Sequence, residues 1–282
     1  MRLAALVAYD GTDFKGFQRQ APERGRTMQG CLEAALVRLT GVAIPVEGAG
    51  RTDSGVHASG QVITFSSDAS HREATWLRAL NALLPADIAV RAVRRVDDGV
   101  HARKTALARS YRYRILCDPV RAPLRERYAW RVQQRLDVAA MQAAAWRLLG
   151  ERDFGAFGSS PRDSRTDGYR GHTVRTLLQA ECDWRKPEGD EPPDEVECRL
   201  TANAFLTGMV RRLVGTLALV GDGRLSVDDF QRILEARAKA HPGILAPAQG
   251  LCLTGVHYPA GLIDWDGAEV VTELASPEGS GA

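Results

Sequence analysis

The chain has 282 residues, with 44% hydrophobic and 26% charged side chains and a formal net charge of +2. It is long enough to bury a large core and to form two domains, and total charge this small does not by itself announce a nucleic-acid partner. The apolar core of the first ten residues is too short for a signal peptide, and the longest apolar run, 204–220, is broken by Arg211 and Arg212, which argues against a membrane span and for a cytoplasmic protein.

In chain order, hydrophobic patterning predicts a strand over 2–9, a helix near 28–39, strands over 42–49 and 61–66, and a helix near 72–83. Strands over 88–97 and 111–116 follow, then a helix near 137–149 and strands over 176–184 and 196–203. Helices near 204–220 and 227–239 and a strand over 251–257 complete the order. Strands that adjoin, 42–49 with 61–66 and 176–184 with 196–203, predict antiparallel hairpins and an α+β fold with flanking helices, not a doubly wound parallel sheet. The acidic, proline-containing stretch 186–195 reads as an exposed hairpin loop and residues 262–282 as a mobile acidic tail. Five cysteines, Cys31, Cys117, Cys182, Cys198 and Cys252, are odd in number and lack a C-x-x-C spacing, so neither a disulfide framework nor a zinc site is expected.

Charge is unevenly distributed. Only four basic residues are lysines, so 33 of the 37 are arginines, whose planar fork suits phosphate and stacks on bases. Between His101 and Arg135 ten Lys or Arg stand against two acids, whereas residues 188–197 hold six acids and the segment after Ala260 holds five acids and no base. This separation of sign is the footprint of a protein that lays one face on a polyanion; a solvated basic strand pair is the plainer reading.

Residues 50–61, Gly-Arg-Thr-Asp-Ser-Gly-Val-His-Ala-Ser-Gly-Gln, place a carboxylate, Asp53, near Arg51 among three glycines, where a ligand can approach the backbone closely. On residue types alone a polar turn explains the stretch better. A dinucleotide-binding glycine loop fails because Asp53 occupies the third glycine position of the pattern begun by Gly48 and Gly50, and a carboxylate there repels pyrophosphate. Ser54 and His57 lie too close to Asp53 in one loop for triad geometry.

The loop has company. Tyr9-Asp10-Gly11-Thr12 with Gly16-Phe17-Gln18, Gly50 to Val62, Asn81 to Pro85, His101-Ala102-Arg103, Tyr111-Arg112-Tyr113, Asp153-Phe154, Phe205 to Gly221, and Ala246-Pro247-Ala248 with Gly250-Leu251 stand in a fixed order from residue 9 to about 258. In this order they resemble the tRNA pseudouridine synthase A family. The resemblance implies two similar α/β halves with mixed, largely antiparallel sheets, a pseudouridine-synthase-like fold divided near residue 105 into 1–105 and 106–261, and a catalytic cleft between them.

It further implies isomerisation of uridine to pseudouridine at positions 38, 39 and 40 of the tRNA anticodon stem-loop, by a homodimer that holds one tRNA across both subunits. The C1′–N1 bond is cut, the base turns and C5 is joined instead, so no water, metal or redox cofactor enters the balance. Asp53 aligns with the catalytic aspartate, the expected nucleophile, as carboxylates serve at oxocarbenium-like centres. Arg211 aligns with the basic residue expected to pair with it and offset desolvation, and Tyr111 with the tyrosine that stacks on the flipped base. Arg51, His101, Arg103, Lys104 and, in the loop 159–166, Arg165 align with RNA-contacting segments. On the sequence pattern alone, Arg211 reads as a solvent-facing helix arginine and Tyr111 as part of an ordinary alternating strand.

The chain departs from the family at Phe17, where Trp is usual, at Val100, where Phe commonly precedes His-Ala-Arg, and over 173–176, a loose match. Two other readings stay open: a non-catalytic RNA-binding protein on the same basic face, and a nucleoside or glycoside hydrolase using Asp53. The hydrolase would need a second carboxylate, for which Asp10 and Asp13 are candidates.

Overall fold

The computed structural model describes residues 1–158, 173–186, 192–236 and 243–265. Arg165 with its loop, residues 187–191, residues 237–239 and the tail from 266 onward lie outside the described residues. Within them the chain forms one sheet from β1 (Arg2–Tyr9), β2 (Glu47–Gly48), β3 (His57–Ser66), β4 (Ile88–Val96) and β5 (Ala108–Cys117), joined by β6 (Trp130–Val132), β7 (Gly150–Asp153), β8 (Val174–Trp184), β9 (Glu195–Ala202) and β10 (Leu251–His257). The strand order is β4-β1-β3-β10-β5-β9-β8-β7, with β2 on β3 and β6 on β5. All pairings are antiparallel except β10 with β3 and β6 with β5. The α+β, largely antiparallel expectation holds.

β10 joins the N-terminal strands to the rest of the sheet. β10 returns to the middle of the sheet, between β3 and β5, and its register sets Leu253 beside both Ala58 and Tyr111. The loop that precedes β3 is thereby brought to the row of the sheet occupied by Tyr111.

Five α-helices flank the sheet among the described residues: α1 (Met28–Thr40), α2 (Glu73–Leu83), α3 (Val138–Trp146), α4 (Met209–Gly221) and α5 (Val227–Glu235). Their starts follow side-chain chemistry: Thr27 accepts from the Gly30 amide, Asp137 from the Ala140 amide, and Ser226 with Asp229 forms a reciprocal capping box. α2 packs on β4 and α3 on β8, while α3, α4 and α5 pack on one another. α4 is buried along almost its whole length. No helix of the described residues is long and apolar enough to cross a membrane.

Three expectations need correction. The helix anticipated from 204 begins only at Met209, because Gly208 adopts a left-handed φ of 71° that cannot continue into a helix from Phe205. The strand anticipated over 42–49 pairs only at Glu47–Gly48; Ile44 and Val46 are buried, but Pro45 between them has no N–H to give a ladder. Cys182 and Cys198 are bridged, being directly opposed on β8 and β9 with Cα atoms 4.2 Å apart. An odd cysteine count says nothing about strand register, which is what creates this pair.

Candidate active site

The Asp53 loop, residues 49–56, is fixed from three sides. Gln61 is fully buried on β3; its side chain accepts from the Gly50 N–H at 3.1 Å and donates to the Gly50 carbonyl at 2.8 Å. The Thr52 carbonyl accepts from the Phe17 N–H, and its hydroxyl lies 2.8 Å from that of Tyr9. Ser54 donates to the Phe14 carbonyl at 2.9 Å. Gly16, at φ 92°, allows this approach: a Cβ there would stand 2.8 Å from the Thr52 carbonyl oxygen. The two residues considered for a triad thus face other partners, since His57 receives the Gly11 N–H on Nδ1 and lies 3.1 Å from Asp10.

Asp10 is a structural group. Burial would raise its carboxyl, but hydrogen bonds from Thr12, Arg127 and Tyr128 outweigh that and hold it below the ordinary carboxylate range. Neither Asp10 nor Asp13 lines the cleft that holds Asp53.

Asp53 meets Arg211 across 158 residues of sequence: Arg211 Nη1 lies 3.5 Å from its Oδ2. Arg211 stands in the first turn of α4, and its Nε donates to the Ala246 carbonyl at 2.7 Å while its own carbonyl receives the Ala246 N–H. Gly215, one turn on, makes this possible. A Cβ at that position would lie 1.8 Å from the Ile244 carbonyl oxygen, so only glycine lets segment 244–246 cross the helix. Arg211 therefore reaches Asp53 from a fixed base.

Tyr111, on β5, completes the group. Its hydroxyl lies 3.5 Å from where a Cβ on Gly50 would be, and its ring meets Phe205 edge to face with centroids 5.1 Å apart. Burial pushes its phenol up to about 12, with the Arg109 charge opposing and Asp53 adding, so it is neutral and able to donate at physiological pH. Its neighbour on the same face, Tyr113, is buried and donates to the Pro247 carbonyl, which makes it the structural tyrosine of the pair.

These residues sit on the wall of a cleft of about 1190 Å³, larger than a small-molecule site requires. Its charged lining comprises Lys15, Arg51, Arg103, Arg109, Arg175 and Arg211 against Asp53 and Glu151. Six cations against two carboxylates suit a polyanionic ligand. Arg51 and Arg103 are exposed on this lining, and Lys104 is exposed beside Arg103. His101 lies off it: Nδ1 accepts from the Arg103 amide at 3.1 Å and Nε2 lies 3.4 Å from Glu47, so the ring shapes the turn that presents Arg103 and Lys104.

The basic run 101–135 is not the open face its sequence suggests. Arg112 and Arg114 lie on the sheet face opposite Tyr111, where the β5–β9 pairing brings them to Glu195 and Glu197. Arg125 pairs with Asp194, Arg127 with Asp10 and Arg131 with Glu126. Half of the ten cations in the run are thus matched by carboxylates, some of them from the acidic stretch 188–197. Two lining residues were given no site role by the sequence: Arg109, which precedes the predicted strand 111–116 as one more base of the basic run, and Phe205, which opens one of the ordered motifs but reads as a core residue of a helix.

The model of a family described as tRNA pseudouridine synthase matches residues 5–103 and 144–259. The tRNA pseudouridine synthase A of Roseiflexus castenholzii is 44% identical over 257 residues, covering 91% of this chain and 90% of that protein. The protein of the same name from Roseiflexus sp. strain RS-1 is 41% identical and covers 98% of this chain and 96% of its own, and that of Solidesulfovibrio magneticus is 42% identical with 92% of each covered. A Cbf5-Nop10-Gar1 complex among solved structures aligns at 11% identity with a TM-score of 0.30, over 76% of this chain and 54% of that one, too loosely to bear on the site. With a family model matched over most of its length and relatives above 40% identity across nine-tenths of it, the chain belongs to the tRNA pseudouridine synthase family.

Proposed function

We propose that this isomerase converts uridine to pseudouridine in the anticodon stem-loop of tRNA, at positions 38, 39 and 40, with Asp53 as nucleophile. The observation that carries the reading is the Asp53–Arg211 pair, at 3.5 Å, on a cleft whose charged lining is mostly cationic. The carboxylate takes C1′ as N1 departs with the bonding electrons. The uracil turns, C5 displaces the carboxylate at C1′, C5 loses its proton and N1 gains one. Arg211 sets an opposite charge 3.5 Å from the attacking carboxylate in a site that the substrate desolvates. Tyr111 and Phe205 offer the flipped base an aromatic corner, and the Tyr111 hydroxyl has no protein hydrogen-bond partner among the described residues, which leaves it for the substrate.

A uridine stacked in an A-form stem cannot enter such a pocket, so the base must be extruded while Arg51, Arg103, Lys104 and Arg165 hold the surrounding backbone. The division at residue 105 places Asp53 in 1–105 and Tyr111 and Arg211 in 106–261, and segments of both line the cleft. The family resemblance supports a homodimer and a cytoplasmic setting. Tritium release from tRNA carrying [5-³H]uridine tests the reaction, because C5 loses its hydrogen only if the base is re-joined through that carbon. Asp53-dependent release is expected; binding with no release would leave an RNA-binding protein, and release of free uracil a hydrolase.

A further inference from the structure

Arg109 sits two residues before Tyr111 on β5, on the same face of the strand, and lines the cleft although only 8% of it is exposed. No carboxylate pairs with it among the described residues. Its donors instead fan out to four backbone carbonyls: Nε and Nη2 to Ala49 at 3.3 and 3.1 Å, Nη2 to Arg103 at 2.7 Å, and Nη1 to Ala106 and Asn203 at 3.3 and 3.0 Å. A buried cation held only by carbonyl dipoles is costly to keep and needs a return.

The four carbonyls belong to the three segments that build the rim. Ala49 opens the loop that carries Arg51 and Asp53, Arg103 and Ala106 belong to the turn that presents Arg103 and Lys104, and Asn203 begins the segment through Phe205 into α4 and Arg211. These segments come from distant parts of the chain and share no strand ladder at these points. A lysine could reach one or two of the carbonyls; only a guanidinium has five donors in a fixed plane.

We infer that Arg109 is a positioning residue that sets the Asp53 loop, the Arg103 turn and the Phe205 segment in mutual register, so that nucleophile, backbone contacts and stacking face are assembled before substrate arrives. The inference rests on the isomerase reading for its catalytic consequence, but its structural content is independent of it. Misplacement by about 1 Å at a reacting centre can cost on the order of 10²-fold in rate.

The test compares wild type, Arg109→Lys and Arg109→Ala. Single-turnover tritium release at saturating tRNA is expected to fall about 10²-fold in both, with tRNA affinity falling less than about 10-fold. Added ethylguanidinium is expected to restore rate to Arg109→Ala but not to Asp53→Asn, a rescue that a loss of general stability would not show. Hydrogen exchange gives a readout free of the reaction: the Gly50, Thr105 and Asn203 amides, hydrogen-bonded to the Gln61 side chain, the His101 carbonyl and the Thr176 carbonyl, should exchange at least about 10-fold faster together in Arg109→Lys while β1 amides stay unchanged. Unaltered exchange at those three amides would overturn the inference, whatever the activity. So would wild-type rates in Arg109→Lys, or failure of both variants to fold, which would make Arg109 a folding element. No release by wild type with the exchange pattern present would overturn the isomerase reading and leave the positioning role standing.

Discussion

Asp53 and Arg211, separated by 158 residues, meet at 3.5 Å, and each is anchored independently of the other: the carboxylate's loop by Gln61 and Phe17, the guanidinium by the Ala246 carbonyl. Such double anchoring is how a site is preorganised, with little left to rearrange when substrate enters. Asp53→Asn is nearly isosteric, so it should leave tRNA affinity within a few-fold while lowering turnover by at least about 10³-fold. Arg211→Lys keeps the charge but cannot hold both Ala246 and Asp53 in one plane, and a loss of about 10²-fold in turnover is expected. Tritium release with filter-binding controls measures both, and near-wild-type turnover in Asp53→Asn would remove it from the nucleophile's role.

Tyr111 gives a pH dependence of definite sign. Its phenol ionises near 10 in an unfolded chain and only at about 12 when folded, because burial opposes the charge. The folded state therefore keeps a proton that the unfolded state has lost. The stability contributed is fully present below pH 10 and disappears as pH rises towards 12, by an order of magnitude of 2 to 3 kcal/mol. Other buried tyrosines act in the same direction, so the comparison that isolates Tyr111 is wild type against Tyr111→Phe in denaturant melts from pH 9 to 11.5. Wild type should lose stability relative to Tyr111→Phe as pH rises, and parallel curves would show that the phenol is not desolvated. At pH 7.5, Tyr111→Phe keeps the aromatic corner and should lose rate more than affinity.

Gly215→Ala opposes helix propensity to packing. In the middle of a helix Ala is favoured over Gly by about 1 kcal/mol. Here the new Cβ would stand 1.8 Å from the Ile244 carbonyl oxygen, and backbone cannot swing aside as a side-chain tip can. Overpacking of this kind costs about 1 to 3 kcal/mol, so net destabilisation is expected, together with reduced turnover as segment 244–246 lifts from Arg211. A thermal midpoint equal to or above wild type would mean that the crossing of α4 is looser than these distances indicate.

The parts legible in the sequence were those governed by local pattern. α1, α2 and β10 emerge within a residue or so of their periodicity, whereas Asp53, Tyr111 and Arg211 were marked only by the family resemblance of the ordered motifs in which they stand. What was not legible depends on register between distant segments. Nothing near Arg109 shows that four carbonyls from three segments will surround it, and no spacing rule sets Cys182 opposite Cys198 or Arg114 beside Glu195. Phe205 was placed on a helix because its neighbours are apolar, and the left-handed Gly208 that ends that possibility is a property of the folded backbone.

The charge pattern yields the prediction that most separates sequence from structure. If the whole basic run 101–135 were the RNA face, removing Arg112 or Arg103 would weaken tRNA binding alike. The structure sets Arg112 beside Glu197 on the face away from the cleft, whereas Arg51 and Arg103 are exposed on its lining. Removing a side chain that neutralises one phosphate should reduce the slope of log affinity against log salt by about 1. Arg51→Ala and Arg103→Ala are therefore each expected to flatten that slope, Arg103→Ala without disturbing the carbonyl that Arg109 holds. Arg112→Ala should leave the slope within error, and because its partner is a partly exposed ion pair, stability should change by no more than about 1 kcal/mol. A flattened slope in Arg112→Ala would place the RNA on the opposite sheet face and separate the polyanion surface from the Asp53 site.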